Sequence, residues 1–342
     1  MGRAPAFPIF FYVRSCGTVS QAINRRLPCS SSPPSPEISN PEIPNSAFLV
    51  EQASRLFPSD TLHPRLKEIS NSDATKWYGL TVQLHIGMNY FAHQTAAERY
   101  AQGRPYFHPL VIDKIRAFLA LQKPLPVAVD VACGTGQSAL ALTEIAEEII
   151  AADIAPGMLA QAPTHPKIRY VQAPAEQLPL KSSLANLMTV SLAFHWLDRA
   201  RFLDEAHRVI RPGGALAIYN NSFYGQMHEN QDFSHWNREH YLTRYPTPHR
   251  NNEPLADDDA REHGFIFIGR EPYSNDISFT PDQLVRYLMT QSNVIAAIEQ
   301  GGKSLASVSA WLLDSVSPFF RGPTATVQFG GEIWYLQSSP NT

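Results

Sequence analysis

The chain has 342 residues, 44% of them hydrophobic, enough to build a substantial core in one large domain or two smaller ones. Its formal net charge of −3 gives no electrostatic reason to expect nucleic acid or an anionic membrane as a partner. Three cysteines (Cys16, Cys29, Cys133) are too few for a disulfide framework, include no C-x-x-C pair for zinc and point to a reducing compartment, and no apolar run nears the ~18 residues that span a bilayer.

Residues 1–36 hold Arg3, Arg14, Arg25 and Arg26, many Ser and Pro, and no Asp or Glu. That composition fits an organelle transit peptide. It equally fits a disordered extension, or sequence upstream of a natural start at Met88. The proline-spaced run that follows is linker-like. Residues 1–87 are therefore expected to be a low-complexity extension and 88–342 the folded domain, cytoplasmic unless 1–36 direct it to a mitochondrion or plastid.

From Asn89 the chain turns aromatic and amphipathic, through Tyr100-Ala-Gln-Gly-Arg104-Pro-Tyr106. Pro109 to Gln122 carries Leu110, Ile112, Ile115, Phe118 and Leu119 at helical spacing. Strands at 127–132, 149–153, 168–172, 187–192 and 215–220 then alternate with helices at 137–147, 156–161 and 199–210. Such alternation predicts βαβ units and a parallel sheet covered on both faces. After Asn220 the pattern lapses into a stretch rich in aromatics, His and Asn, read as an irregular helical lid within about 221–300. A strand at Phe265–Gly269, a helix from Pro281 to about Glu299 with Thr280 as its N-cap, a helix at about 305–319 and a last strand at 326–337 complete the chain.

The most informative stretch is Val127-Ala-Val-Asp-Val-Ala-Cys-Gly-Thr-Gly136, an apolar strand broken by two glycines before a helix. Glycines at a strand's carboxyl end let a ligand approach the backbone at a helix N-terminus. On its own this loop also satisfies the loose G-x-G-x-x-G/A dinucleotide pattern, so a nicotinamide-dependent oxidoreductase is a rival reading.

Further motifs separate the two. Asp130-x-x-x-Gly134-x-Gly136 resembles motif I of class I S-adenosylmethionine (SAM)-dependent methyltransferases. Asp153 ends the next strand; Ala173-Pro-Ala-Glu176-Gln-Leu-Pro179 is similar to the family's adenine-contacting loop; Leu187 to Trp196 resembles its fourth strand; and Arg208-Val-Ile-Arg-Pro-Gly-Gly214 resembles the turn before its fifth. The likeness runs from about Met88 to Gln337 and is strongest to the methyltransferase type 11 group, in the small-molecule branch that includes trans-aconitate methyltransferase-like proteins. It implies a Rossmann-like, seven-stranded, mostly parallel α/β sheet with one antiparallel strand, and SAM as cofactor.

It also implies roles. Asp153 would bind the ribose hydroxyls, the alternative being a helix-cap carboxylate. Asp130 would orient the loop and the methionine amino group. Ile154 and Met158 would sandwich the adenine or simply belong to the core. Ala175 and Glu176 would lie beside the adenine, with Glu176 alternatively an ordinary helix N-terminal acid. Arg104 and Tyr106 belong to a segment that folds over the cofactor in the family. His195 is placed either to take a proton from the acceptor or to hydrogen-bond in the pocket wall. Asn186 departs from the acid usual at the start of the fourth strand. No His pair with a carboxylate third ligand signals a metal. The expected partner is a small-molecule methyl acceptor, methylated at oxygen and bound by the lid. A non-catalytic SAM-binding protein is the other alternative.

Overall fold

The computed structural model describes residues 93–339, so the expectations for residues 1–87 lie outside the described residues. Helix α1 (Gln94–Gly103) leads into α2 (His108–Phe118). The core strands follow: β1 (Leu125–Val131), β2 (Ala146–Asp153), β3 (Ile168–Gln172), β4 (Ala185–Ser191) and β5 (Ile210–Tyr219). Between them lie α3 (Gln137–Leu142), α4 (Pro156–Leu159) and α5 (Arg199–Val209). All five strands are parallel, ordered β3-β2-β1-β4-β5.

Buried parallel strands need apolar side chains on both faces, and β1 supplies them. Val129 and Val131 pack with Phe202, Leu203 and Ala206 of α5. Ala128 packs on the other face with Val111, Ile112 and Ile115 of α2 and Leu142 of α3. Each fully buried Val, Leu, Ile or Phe contributes about 1.5–3 kcal/mol. α3 is shorter than the helix expected over 137–147, because Ala146 already pairs with Leu125 at the start of β2.

The lid is not wholly irregular. It opens with a strand, β6 (Ser222–Met227), then α6 (Asp232–Trp236), a π-helical turn (Asn237–Tyr241) and α7 (Asp257–Glu262). β7 is far longer than the five residues expected, running Phe265–Phe279. The single helix expected from Pro281 to Glu299 is two, α8 (Pro281–Leu288) and α9 (Ser292–Glu299), followed by α10 (Leu305–Val316) and β8 (Ala325–Ser338). Thr280 caps α8 as the sequence predicts: its Oγ1 accepts from Gln283 N at 3.2 Å while Gln283 Oε1 accepts from Thr280 N at 2.8 Å.

β8 runs antiparallel to β5, β6 and β7. β5 and β6 share one register against it, with Tyr219 opposite Ile333 and Ser222 opposite Gly330. They are thus one strand line interrupted at Asn220–Asn221, and the eight segments form a sheet seven strands wide with one antiparallel member. At the interruption the Asn220 side chain replaces the ladder carbonyl, its Oδ1 accepting from Glu332 N at 3.0 Å.

Candidate active site

The carboxyl ends of β1, β2, β4 and β5 open into a cavity of about 840 Å³, roofed by α1 and closed on the far side by the lid and the α8–α9 junction. That volume lies in the range of small-molecule sites. Two of its lining residues are non-glycines in the left-handed region, Ala132 (φ 53°) just after β1 and Leu192 (φ 57°) just after β4. Each costs about 1–2 kcal/mol, and such residues gather where a ligand meets the backbone.

The two loop glycines differ. A Cβ on Gly134 (φ 55°) would meet nothing within 4 Å, so it faces the open cavity. A Cβ on Gly136 (φ 75°) would lie 2.5 Å from the Tyr170 hydroxyl, and Gly136 is not among the cavity-lining residues. Gly134 gives a ligand room; Gly136 lets α3 start tight against β3.

Asp153 lines the cavity with both oxygens engaged: Oδ2 accepts from Gly134 N and Oδ1 from Ala155 N, each at 2.8 Å. Burial raises its pKa against these two donors. The carboxylate thus braces the glycine loop from the next strand, and α4 carries no side-chain cap. Asp130 lies out of the cavity, fully buried beneath α3. It accepts from Ser138 Oγ at 2.5 Å and Thr189 Oγ1 at 2.7 Å, and burial pushes its pKa up to about 6. It joins β1 to α3 and β4.

Ile154, half-exposed, and Met158, buried, line the wall beside Ala175 and Glu176. Glu176 Oε1 accepts from Asp198 N at 3.1 Å, ahead of α5. Arg104 lies over the rings of Tyr100 (4.7 Å) and Tyr287 (5.4 Å) and donates to the Thr290 carbonyl at 3.0 Å. That carbonyl is free because the helix breaks between α8 and α9. Tyr106 is half-exposed and outside the cavity lining.

His195, in the turn Phe194–Trp196 after β4, also lines the cavity. Its Nε2 lies 3.5 Å from Arg250 Nη1. Burial, then Arg250, Arg199 and Arg104, push its pKa down to about 4, so the ring is neutral at physiological pH. The cavity residues that sequence reasoning missed include Asn220, Asn221, Arg250, Ser292 and Asn293. The first pair had a signal, following the apolar run of β5 at a strand's carboxyl end. The others sit where no period marks their facing. Among the described residues no cluster of His, Cys, Asp and Glu is placed to hold a metal ion, and no helix is long and apolar enough to cross a membrane.

Residues 129–218 match the family model described as "Methyltransferase domain". An uncharacterized methyltransferase of Mycobacterium tuberculosis is 32% identical over 129 residues, 37% of this chain and 51% of that one. The malonyl-[acyl-carrier protein] O-methyltransferase of Dechloromonas aromatica is 42% identical over 91 residues, 26% of this chain and 34% of its own. The chain thus spans about half the length, or less, of these curated relatives. A structure from Anaeromyxobacter dehalogenans, solved under the name of a type II methyltransferase, superposes with a TM-score of 0.54 at 24% identity over 67% of this chain and 97% of that one, a likeness of fold. Residues 129–218, which hold the glycine loop and the core strands, are thus similar in sequence to methyltransferase domains, and the fold around them is like that of a solved methyltransferase.

Proposed function

We propose that this protein transfers the methyl group of SAM to a small-molecule acceptor at oxygen, and that it belongs with the trans-aconitate methyltransferase-like small-molecule branch. The observation that carries the proposal is Asp153, a carboxylate at the cavity wall clamped to the Gly134 amide beside open space over Gly134. A carboxylate held this way is the acceptor that the two hydroxyls of a ribose require, with room beside it for the rest of the ligand. The O-methyltransferase name of one relative supports oxygen as the acceptor atom.

Bound SAM would supply a methyl group on its sulfonium, which the acceptor oxygen would take in line as the sulfur–methyl bond breaks and S-adenosylhomocysteine leaves. The chain's residues bind, orient and exclude water. Asp153 receives the ribose hydroxyls, Glu176 and Ala175 border the adenine with Ile154 and Met158, and Arg104 with α1 covers the methionine end. Asp130 acts one layer below, fixing the loop through α3. His195, neutral, accepts a proton if the acceptor is a hydroxyl; a carboxylate acceptor needs no base. Its depressed pKa makes it a weak base and so favours the carboxylate.

Titration calorimetry with S-adenosylhomocysteine tests this. Micromolar binding is expected, and Asp153→Ala lowers the affinity about 100-fold, near 2.7 kcal/mol. Wild-type affinity in that variant would reject the ribose assignment.

A further inference from the structure

On the outside of the lid, two stretches distant in sequence meet over a buried tyrosine. Arg244, at the end of the short helix Leu242–Arg244, lies over the Trp311 ring at 4.7 Å, and its Nε donates to Tyr245 Oη at 3.3 Å. Lys303, in the turn before α10, holds its Nζ 5.0 Å from the centre of the Tyr245 ring. Tyr245 is itself buried, so two exposed cations cover one aromatic floor. Aromatic faces, rather than carboxylates, hold both side chains in place.

The surroundings share one sign of charge. Residues 240–252 and 300–313 contain Arg244, Arg250 and Lys303 and not one Asp or Glu, in a chain whose acids outnumber its bases by 31 to 28. Arg250 turns into the cavity wall, which leaves Arg244 and Lys303 outside. Beside them stand two apolar side chains, Leu242 at 36% exposure and Leu305 at 46%. Residues 301–307 are all exposed, and a Cβ added at Gly302 (φ 64°) would meet nothing within 4 Å, so this turn projects from the body. Leu242 also lines the cavity, so the patch borders its mouth.

Long cationic side chains laid over aromatic rings, with single leucines reaching past them, suit the boundary between water and lipid. The cations attract anionic headgroups while the leucines enter the acyl boundary. We infer that Arg244, Lys303, Leu242 and Leu305 form a docking face for an anionic lipid surface, with the mouth of the cavity beside it. An acidic protein would also meet the charge, but leucines standing singly on projecting turns offer a rigid partner little to pack against, whereas a fluid surface admits them. Two cations and two leucines make the association reversible, well short of an anchor.

The test is sedimentation of the full chain with vesicles of phosphatidylcholine, with and without phosphatidylglycerol, at low salt. Binding to the anionic vesicles alone is expected, falling as salt is raised. The double variant R244Q/K303Q should lower partitioning at least about tenfold, and Leu305→Ser should lower it severalfold. R244K/K303R, which keeps both charges, should retain most of the binding. Equal binding to neutral vesicles, or no binding at all, would overturn the inference. So would anionic binding undiminished in R244Q/K303Q, which would lie with the arginines of residues 1–36 instead. A loss in R244K/K303R as large as in the glutamine variant would reduce the two cations to a structural role. Capture of soluble polyglutamate in preference to vesicles would assign the face to an acidic protein.

Discussion

Alanine at the two loop glycines should separate stability from binding. At Gly136 the residue adopts φ 75°, which costs alanine about 1–2 kcal/mol, and its Cβ would lie 2.5 Å from Tyr170 Oη and 3.1 Å from Ala162 Cβ. Tyr170 Oη donates to the Pro163 carbonyl at 3.0 Å, so the ring retreats only by giving up that bond and its packing, a further 1–2 kcal/mol or so. Gly136→Ala should therefore lose about 2–4 kcal/mol, a fall in Tm of roughly 4–16 °C at about 2–4 °C per kcal/mol. At Gly134 (φ 55°) nothing lies within 4 Å of the added Cβ, so only the backbone term of about 1–2 kcal/mol applies. The methyl there stands where ligand should lie, and Gly134→Ala should lose at least about tenfold in S-adenosylhomocysteine affinity. Thermal melts and calorimetry read the two effects separately. A Gly134→Ala protein that binds the product as wild type does would refute the reading of the open space as cofactor volume.

Three other expectations follow from particular contacts. His108 is buried, its Nδ1 lies 3.1 Å from Tyr219 Oη, and burial pushes its pKa down to about 3. A depressed histidine stabilises the fold above its unfolded pKa of about 6.5, and that stability drains as pH falls towards 3: about 2 kcal/mol between pH 7 and 5. Asp130, raised to about 6, moves stability the opposite way over the same interval, so the comparison should be His108→Phe against wild type. The wild type should lose about 4–8 °C more in Tm than the variant between those pH values, and equal losses would sink the idea. Arg99 joins α1 to α9 through Glu299, Nη2 to Oε1 at 2.7 Å. Arg99→Ala should cost about 1–3 kcal/mol in chemical denaturation and weaken product binding severalfold, since α1 carries Tyr100 and is followed directly by Arg104; unchanged binding would dissociate α1 from the cofactor. Asp153→Ala, finally, should leave a cooperative unfolding transition while affinity collapses.

The parallel half of the sheet was legible because buried strands write themselves as short apolar runs, as Val127–Val131 and Leu187–Ser191 do, the first of them closed by the glycine loop. β7 was legible only over Phe265–Gly269. Its remaining residues sit on an outer strand that pairs with β8 alone, so polar residues and even Pro272 are tolerated and no apolar run announces them. The break between α8 and α9 has no Pro or Gly to mark it, and the apolar spacing continues across it. What favours it is tertiary: Thr290, fully buried, offers its carbonyl to Arg104, 186 residues earlier in the chain. Arg250 was illegible for the same reason, since its neighbours His195, Arg199 and Ser292 are distant in sequence.

The interrupted strand line has a consequence for how such a site diversifies. The segment from His228 to Gly264 leaves the sheet where Met227 faces Val327 and returns where Phe265 faces Ser338, at opposite ends of β8. Those anchor points are eleven strand residues apart, about 36 Å. A strap fastened so far apart on one rigid strand holds its span whatever its middle contains. Residues of the strap that line the cavity, Arg250 among them, can therefore be exchanged without disturbing the glycine loop or the register of the sheet beneath.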